Sequence, residues 1–133
     1  HKVVKKYLAI VHGKLDKEKE EWVDYIEKGL DGKSIISPND KKAILEYEVL
    51  DYNNEYDCSL VSILLKSGRH HQIRVQFASR GHYLLGDQRY GVLDNQQICL
   101  FAYQLTFIHP VTKQELSFQL YPMKKGYWTR FTL

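Results

Sequence analysis

Gly68-Arg-His-His-Gln-Ile-Arg-Val-Gln-Phe-Ala-Ser-Arg-Gly-His-Tyr-Leu-Leu-Gly-Asp-Gln-Arg-Tyr-Gly91 is the stretch where the pattern of the chain changes. On either side of it apolar residues alternate with polar ones at the two-residue period of strands. Within it Ile73 and Phe77 stand four apart with Val75 and Ala78 close by, which predicts a helix over residues 70–79 that Gly81 terminates. Residues 86–95, rich in glycine and polar side chains, read as loop. This helix, set among strands, decides the fold class.

Working outward, residues 2–13 form an expected strand with Val4, Leu8 and Ile10 on one face and Val3, Tyr7, Ala9 and Val11 on the other. Apolar residues on both faces predict a strand covered on both sides. Residues 14–33 are charged, and Trp22, Tyr25, Ile26 and Gly29 recur at helical spacing. They predict a short surface helix ending at Gly29 or Gly32. Residues 37–41 read as a turn. Leu45, Tyr47 and Val49 alternate with Glu46 and Glu48, Asn53-Asn54-Glu55 turns the chain, and residues 58–67 return as a second strand. Phe101, Tyr103, Leu105 and Phe107 make another, with a turn at residues 109–113 leading into Leu116, Phe118 and Leu120. The expected fold is α/β in the α+β sense, a mainly antiparallel mixed sheet with one helix packed on it.

At 133 residues and 44% hydrophobic content the chain suffices for one core, so residues 1–133 are read as one domain. The net charge of +3 is compatible with a polyanionic partner without requiring one. Cys58 and Cys99 lack the spacing of a zinc ribbon or a disulfide framework, which points to a reduced, cytoplasmic setting. No apolar run approaches the length that spans a bilayer, so no membrane association is expected. The chain begins at His1 and not at a methionine, which suggests a fragment.

The histidines of the opening stretch invite a metal, but adjacent His70 and His71 on a helix would point about 100° apart, and neither has a second ligand at a helical offset. No metal site is expected. Gly68 and Arg69 ahead of a helix would bring free backbone N–H groups and a guanidinium to its positive end, a place that favours anions. An arginine such as Arg74 one turn further in fits either that grip or an ordinary structural ion pair.

The wording of the stretch goes further. Gly68-Arg-x-His-Gln-Ile-Arg-Val followed by Ala78-Ser-x-Gly-His-x-Leu-x-Gly-Asp-x-x-Tyr-Gly91 closely resembles the most recognisable motif of the RluA-type pseudouridine synthases. Lys6-Tyr-Leu-Ala-x-Val-x-Gly13, Ala43-x-x-x-Tyr-x-Val-Leu50 and Phe107-x-His-Pro-Val-Thr-Lys113 resemble three further motifs of that family, in order, across nearly the whole chain.

The resemblance implies an isomerase that converts uridine to pseudouridine in ribosomal or transfer RNA, with neither metal nor organic cofactor. The target base must leave its stack while surrounding phosphates are held. Tyr7 matches the tyrosine that packs against the flipped base and is a candidate acid or base. Arg74 matches the arginine that pairs with the catalytic aspartate. Arg69, His70, His71 and Gln72 match the neighbouring RNA-contacting segment, although His70 stands where the family usually has a small hydroxyl residue. Gly86, Asp87, Tyr90 and Gly91 match a shaped loop in which Asp87 accepts backbone or arginine hydrogen bonds. The family's nucleophilic aspartate lies in a His-Arg-Leu-Asp motif before Lys6-Tyr7, and these 133 residues contain none. Asp16, Asp24, Asp31, Asp40, Asp51 and Asp57 lack the required neighbours. The chain is therefore expected to be the C-terminal portion of a catalytic domain, inactive alone; the alternative is a catalytically dead RNA-binding module. Loss of the first half of a continuous sheet would leave the strand around Val4, Leu8 and Ile10 exposed and prone to self-association.

Overall fold

The computed structural model describes residues 3–38 and 40–133. Lys2, where the first expected strand begins, and Asn39, within the expected turn at residues 37–41, lie outside the described residues. In chain order the elements are β1 (Val3–His12), β2 (Lys19–Lys28), β3 (Ser34–Ile36), β4 (Lys41–Asn53), β5 (Cys58–Leu65), α1 (Gln72–Ser79), β6 (Leu100–Ile108), β7 (Glu115–Gln119) and a 3-10 turn at Gly126–Arg130. The strands form one seven-stranded sheet in the order β3-β2-β4-β5-β1-β6-β7. Every pairing between named strands is antiparallel. This is the α+β architecture expected, a sheet with one helix on it.

Residues 14–33 correct the expectation of a surface helix. Lys19–Lys28 is a strand paired with β4 from Lys19↔Glu48 to Ile26↔Lys41, and residues 29–33 turn into the short β3. Trp22 and Ile26 are buried because positions four apart share a face at the strand period as well as at the helical one. Glu20 and Asp24 alternate onto that same face and find partners there. The Trp22 indole donates to Glu20 at 2.8 Å, and Arg80 donates to Asp24 at 2.7 Å.

The strand β1 is central, which corrects the expectation that it would be exposed. It pairs with β5 from Lys6 to His12 and with β6 from Val3 to Ala9. Beyond Ala9, the segment after the helix takes over its second edge, with His12 donating to the Tyr83 carbonyl at 2.8 Å and Leu85 donating to the Ile10 carbonyl at 2.9 Å. Leu8 and Ile10 are 1% and 0% exposed, beneath a layer containing Phe131, Tyr127, Trp128 and Leu85. From Lys6 onward the strand is paired on both sides and its Leu8 and Ile10 are covered, and the outermost strands of the sheet are β3 and β7.

On the opposite face of β1, Ala9 and Val11 join Leu45, Tyr47, Val61 and Ile63 under the helix residues Ile73 and Phe77. Trp22, Tyr47 and Phe77 pack as an aromatic triad with ring centroids 4.6–5.9 Å apart, at tilted and edge-on angles that suit their quadrupoles. Gly81, at φ +81°, ends α1 in a Schellman turn. His82 donates to the Phe77 carbonyl and Gly81 to that of Ala78. The helix thus fixes the segment before it, Gly68–His71, against the β2–β4 end of the sheet. No helix among the described residues is long and apolar enough to cross a membrane.

Candidate functional site

The segment leading into α1 is shaped by Gln72, whose side chain is 2% exposed and fully committed. Its amide oxygen accepts from the Ser67 hydroxyl and the Arg69 backbone N–H, both at 3.0 Å, and its amide nitrogen donates to the Ile44 carbonyl at 3.0 Å. These bonds pin the loop to β4. His71 follows in the left-handed region at φ 54°, an uncommon conformation for a residue with a β-carbon, and this turn starts the helix. Arg69 and His70 remain exposed. Arg69 Nε donates to the Lys42 carbonyl at 2.8 Å, and His70 Nε2 lies 2.9 Å from the Gly32 carbonyl, tying the loop to the β2–β3 turn. The His70 and His71 rings stack at 3.8 Å. Arg69, His70, Lys41 and Lys28 line a cleft of about 360 Å³ beside Ser34 and Ile26.

One turn along the helix, Arg74 meets Asp87 in a two-point pair. Nε donates to Oδ2 at 3.0 Å and Nη2 to Oδ1 at 2.8 Å. Asp87 also accepts the backbone N–H groups of Arg89 and Tyr90, each at 3.1 Å, so its carboxylate is the knot of the loop at residues 86–91. Burial pushes the Asp87 carboxyl upward, but the Arg74 guanidinium and the two amides outweigh it and hold the group below its ordinary value. The same hydrogen bond raises Arg74. The guanidinium lies 5.0 Å over the Tyr90 ring, and the side chain is 23% exposed. Its remaining N–H groups, on Nη1 and the far side of Nη2, have no acceptor among the described residues. Geometrically, Arg74 is held along one edge and offers the other to an anion.

Tyr7 is not in this cluster. It lies on the helix-bearing face of β1, packed against the cluster that contains Ile73 and Phe77. With Ala102, Leu105, Phe118 and Leu120 it lines a separate open depression of about 320 Å³ between β1, β6 and β7. No hydrogen bond joins Tyr7 to Arg74 among the described residues. The structure brings Arg69, His70, His71, Gln72 and Arg74 together and places Tyr7 elsewhere on the same face.

Sequence reading missed what Ser34 and Tyr90 do here. The Ser34 hydroxyl donates to the His70 carbonyl at 2.6 Å, and its backbone N–H donates to the Tyr90 hydroxyl at 2.8 Å. Tyr90 also reaches His71 Nδ1 at 2.8 Å. The pattern carries no signal for this, because a helix within residues 14–33 that ends at Gly29 or Gly32 leaves residues 34–36 without a strand to bring Ser34 to the site. Among the described residues, no three His, Cys, Asp or Glu side chains are grouped as a metal site.

Comparison with known proteins adds to this geometry. The family model described as RNA pseudouridylate synthase matches residues 1–79. An uncharacterized RNA pseudouridine synthase of Aquifex aeolicus is 38% identical over 91 residues, covering 60% of this chain and 29% of the relative. The ribosomal large subunit pseudouridine synthase C of Buchnera aphidicola is 35% identical over 130 residues, covering 86% of this chain and 40% of the relative. Among solved structures, human RNA pseudouridylate synthase domain containing 1 superposes with a TM-score of 0.77 at 24% identity, covering 92% of this chain and 55% of that one. The chain spans well under half the length of these two curated relatives.

Proposed function

The chain belongs to the RNA pseudouridylate synthase family, and from that premise we propose that residues 1–133 are the C-terminal portion of a catalytic domain that isomerises uridine in ribosomal or transfer RNA to pseudouridine. The observation that carries the reading is the half-satisfied guanidinium of Arg74. Asp87 and Tyr90 fix its plane, and its free edge can hold a carboxylate ionised and oriented. That carboxylate is the aspartate of the motif these residues lack. In this reading Tyr7, at the wall of an apolar depression, packs against the flipped uracil and serves as acid or base. Arg69, His70 and His71 form the rim that meets the RNA backbone, with Lys33 and Arg89 close by. Gln72, buried and committed to Ser67, Arg69 and Ile44, supports that rim from beneath. Cys58 and Cys99 are free and buried, which suits a reducing cytoplasm where such RNA is processed.

The separation of Tyr7 from the Arg74 cluster favours a second reading, a module that binds RNA without acting on it. Incubation with uridine-labelled RNA separates the two. The chain alone should bind the RNA and form no pseudouridine in it. In a form carrying the aspartate motif, isomerisation should appear and Arg74→Ala should abolish it while circular dichroism stays unchanged. Binding without isomerisation in that longer form would favour the module, and isomerisation by the 133 residues alone would overturn the assignment of the missing nucleophile.

A further inference from the structure

Tyr90 stands where three segments meet. Its ring carries the Arg74 guanidinium at 5.0 Å and Lys33 Nζ at 5.1 Å, and meets the His71 ring edge-on at 5.5 Å. Its hydroxyl lies 2.8 Å from both the Ser34 backbone nitrogen and His71 Nδ1. A backbone N–H only donates, so the hydroxyl is the acceptor toward Ser34. The single phenol proton then has His71 Nδ1 as its one acceptor among the described residues. The opposite assignment, with hydrogen on Nδ1, would leave the phenol proton without a partner in a partly buried position. A neutral His71 whose Nδ1 accepts must carry its hydrogen on Nε2, which has no partner among the described residues.

The surrounding charges act in the same direction. Burial and the positive charge of Arg74 from α1, His70 from the preceding loop and Arg89 from the following one hold His71 below the usual imidazole value, against the pull of Asp87. The ring beside this cluster stays uncharged at neutral pH.

We propose that Tyr90 is a positioning residue that fixes His71 as the Nε2–H tautomer, making it a neutral hydrogen-bond donor to an oxygen of the RNA backbone and not a cationic phosphate clamp. The RNA half of this proposal rests on the function proposed above; the tautomer half does not.

Imidazole nitrogen NMR on the labelled chain tests the tautomer at neutral pH without RNA. Wild type should show a protonated Nε2 and a bare Nδ1 at His71, and Tyr90→Phe, which keeps the ring and its packing, should let a share of the Nδ1–H tautomer appear beside it. Titration with single-stranded uridine RNA at several salt concentrations tests the donor. His71→Ala should weaken binding by about threefold to tenfold at every salt concentration and leave the salt dependence unchanged. Arg69→Ala should flatten that dependence by roughly one released counterion. Tyr90→Phe should weaken binding less than His71→Ala does, and the double variant should lose little more than His71→Ala alone. A protonated Nδ1 in wild type, an unchanged tautomer in Tyr90→Phe, or a flattened salt dependence in His71→Ala overturns the proposal even when RNA binds. Failure of wild type to bind RNA overturns the function proposed above together with the donor role, whatever the tautomer.

Discussion

At Asp87 a carboxylate with 1% of its surface exposed accepts a two-point arginine bond and two backbone amides. Replacing it with asparagine keeps the shape but removes the charge that Arg74 needs, leaving a partly buried guanidinium short of a partner. Breaking a buried pair from one side costs about 3–5 kcal/mol, so Asp87→Asn should lower the urea midpoint sharply at pH 7. Acid should tell the same story from the other direction. The folded-state pKa of Asp87 is depressed, so its contribution is fully present above the unfolded value of about 4 and is lost as pH falls from there through the lower folded value. The stability of Asp87→Asn should therefore decline less steeply than that of wild type below about pH 4. Equal slopes would show that the pair contributes nothing to acid sensitivity. At this scale Arg74 and Asp87 were legible as motif positions. Asp87 was also legible as an acceptor of backbone or arginine hydrogen bonds, but which arginine was not, because the motif pointed Arg74 toward an aspartate outside these residues.

Gly81 and Gly86 allow an element-scale comparison, since both sit at nearly the same positive φ, +81° and +79°. A β-carbon at Gly81 would meet nothing within 4 Å, whereas one at Gly86 would lie 2.2 Å from the Gln97 carbonyl oxygen. Gly81→Ala should cost only the backbone penalty of the left-handed helix cap, about 1–2 kcal/mol. Gly86→Ala should cost distinctly more and loosen the loop that holds Asp87. Thermal unfolding of the two variants side by side checks this, and equal losses would mean the loop backbone yields freely. The elements were mostly legible because β1 is apolar on both faces, β4 and β6–β7 alternate, and the four-residue spacing of Ile73 and Phe77 breaks that pattern after Gly68. The exception, β2, has a physical cause. Its inward positions alternate Glu20, Trp22, Asp24 and Ile26, so two charged residues face the helix, and polarity no longer marks the outside. Glu20 is met by its near neighbours, the Trp22 indole and Lys17, but the half-buried Asp24 relies on distant partners, Arg80 and the Gln76 amide. No local pattern announces such partners.

Over the whole molecule the net charge is only +3, so long-range attraction to RNA is weak and binding must come from the local cluster around the α1 entrance. If about three phosphates are neutralised there by Arg69, Lys33 and Arg89, affinity for single-stranded RNA should fall with a log–log salt slope of about −2. Fluorescence anisotropy between low and physiological salt measures it, and a slope near zero would remove the electrostatic basis of the rim. The central place of β1 has a further consequence, in the order of events during folding. The first strand in the sequence pairs with β5 and β6, so it gains its second neighbour only once residues 100–108 are available. Until then a segment with apolar residues on both faces waits with an open edge, and loop-closure entropy must be met before its contacts repay it. The sheet is completed from its middle and late, which makes the nascent chain most vulnerable to aggregation in the interval before β6 arrives.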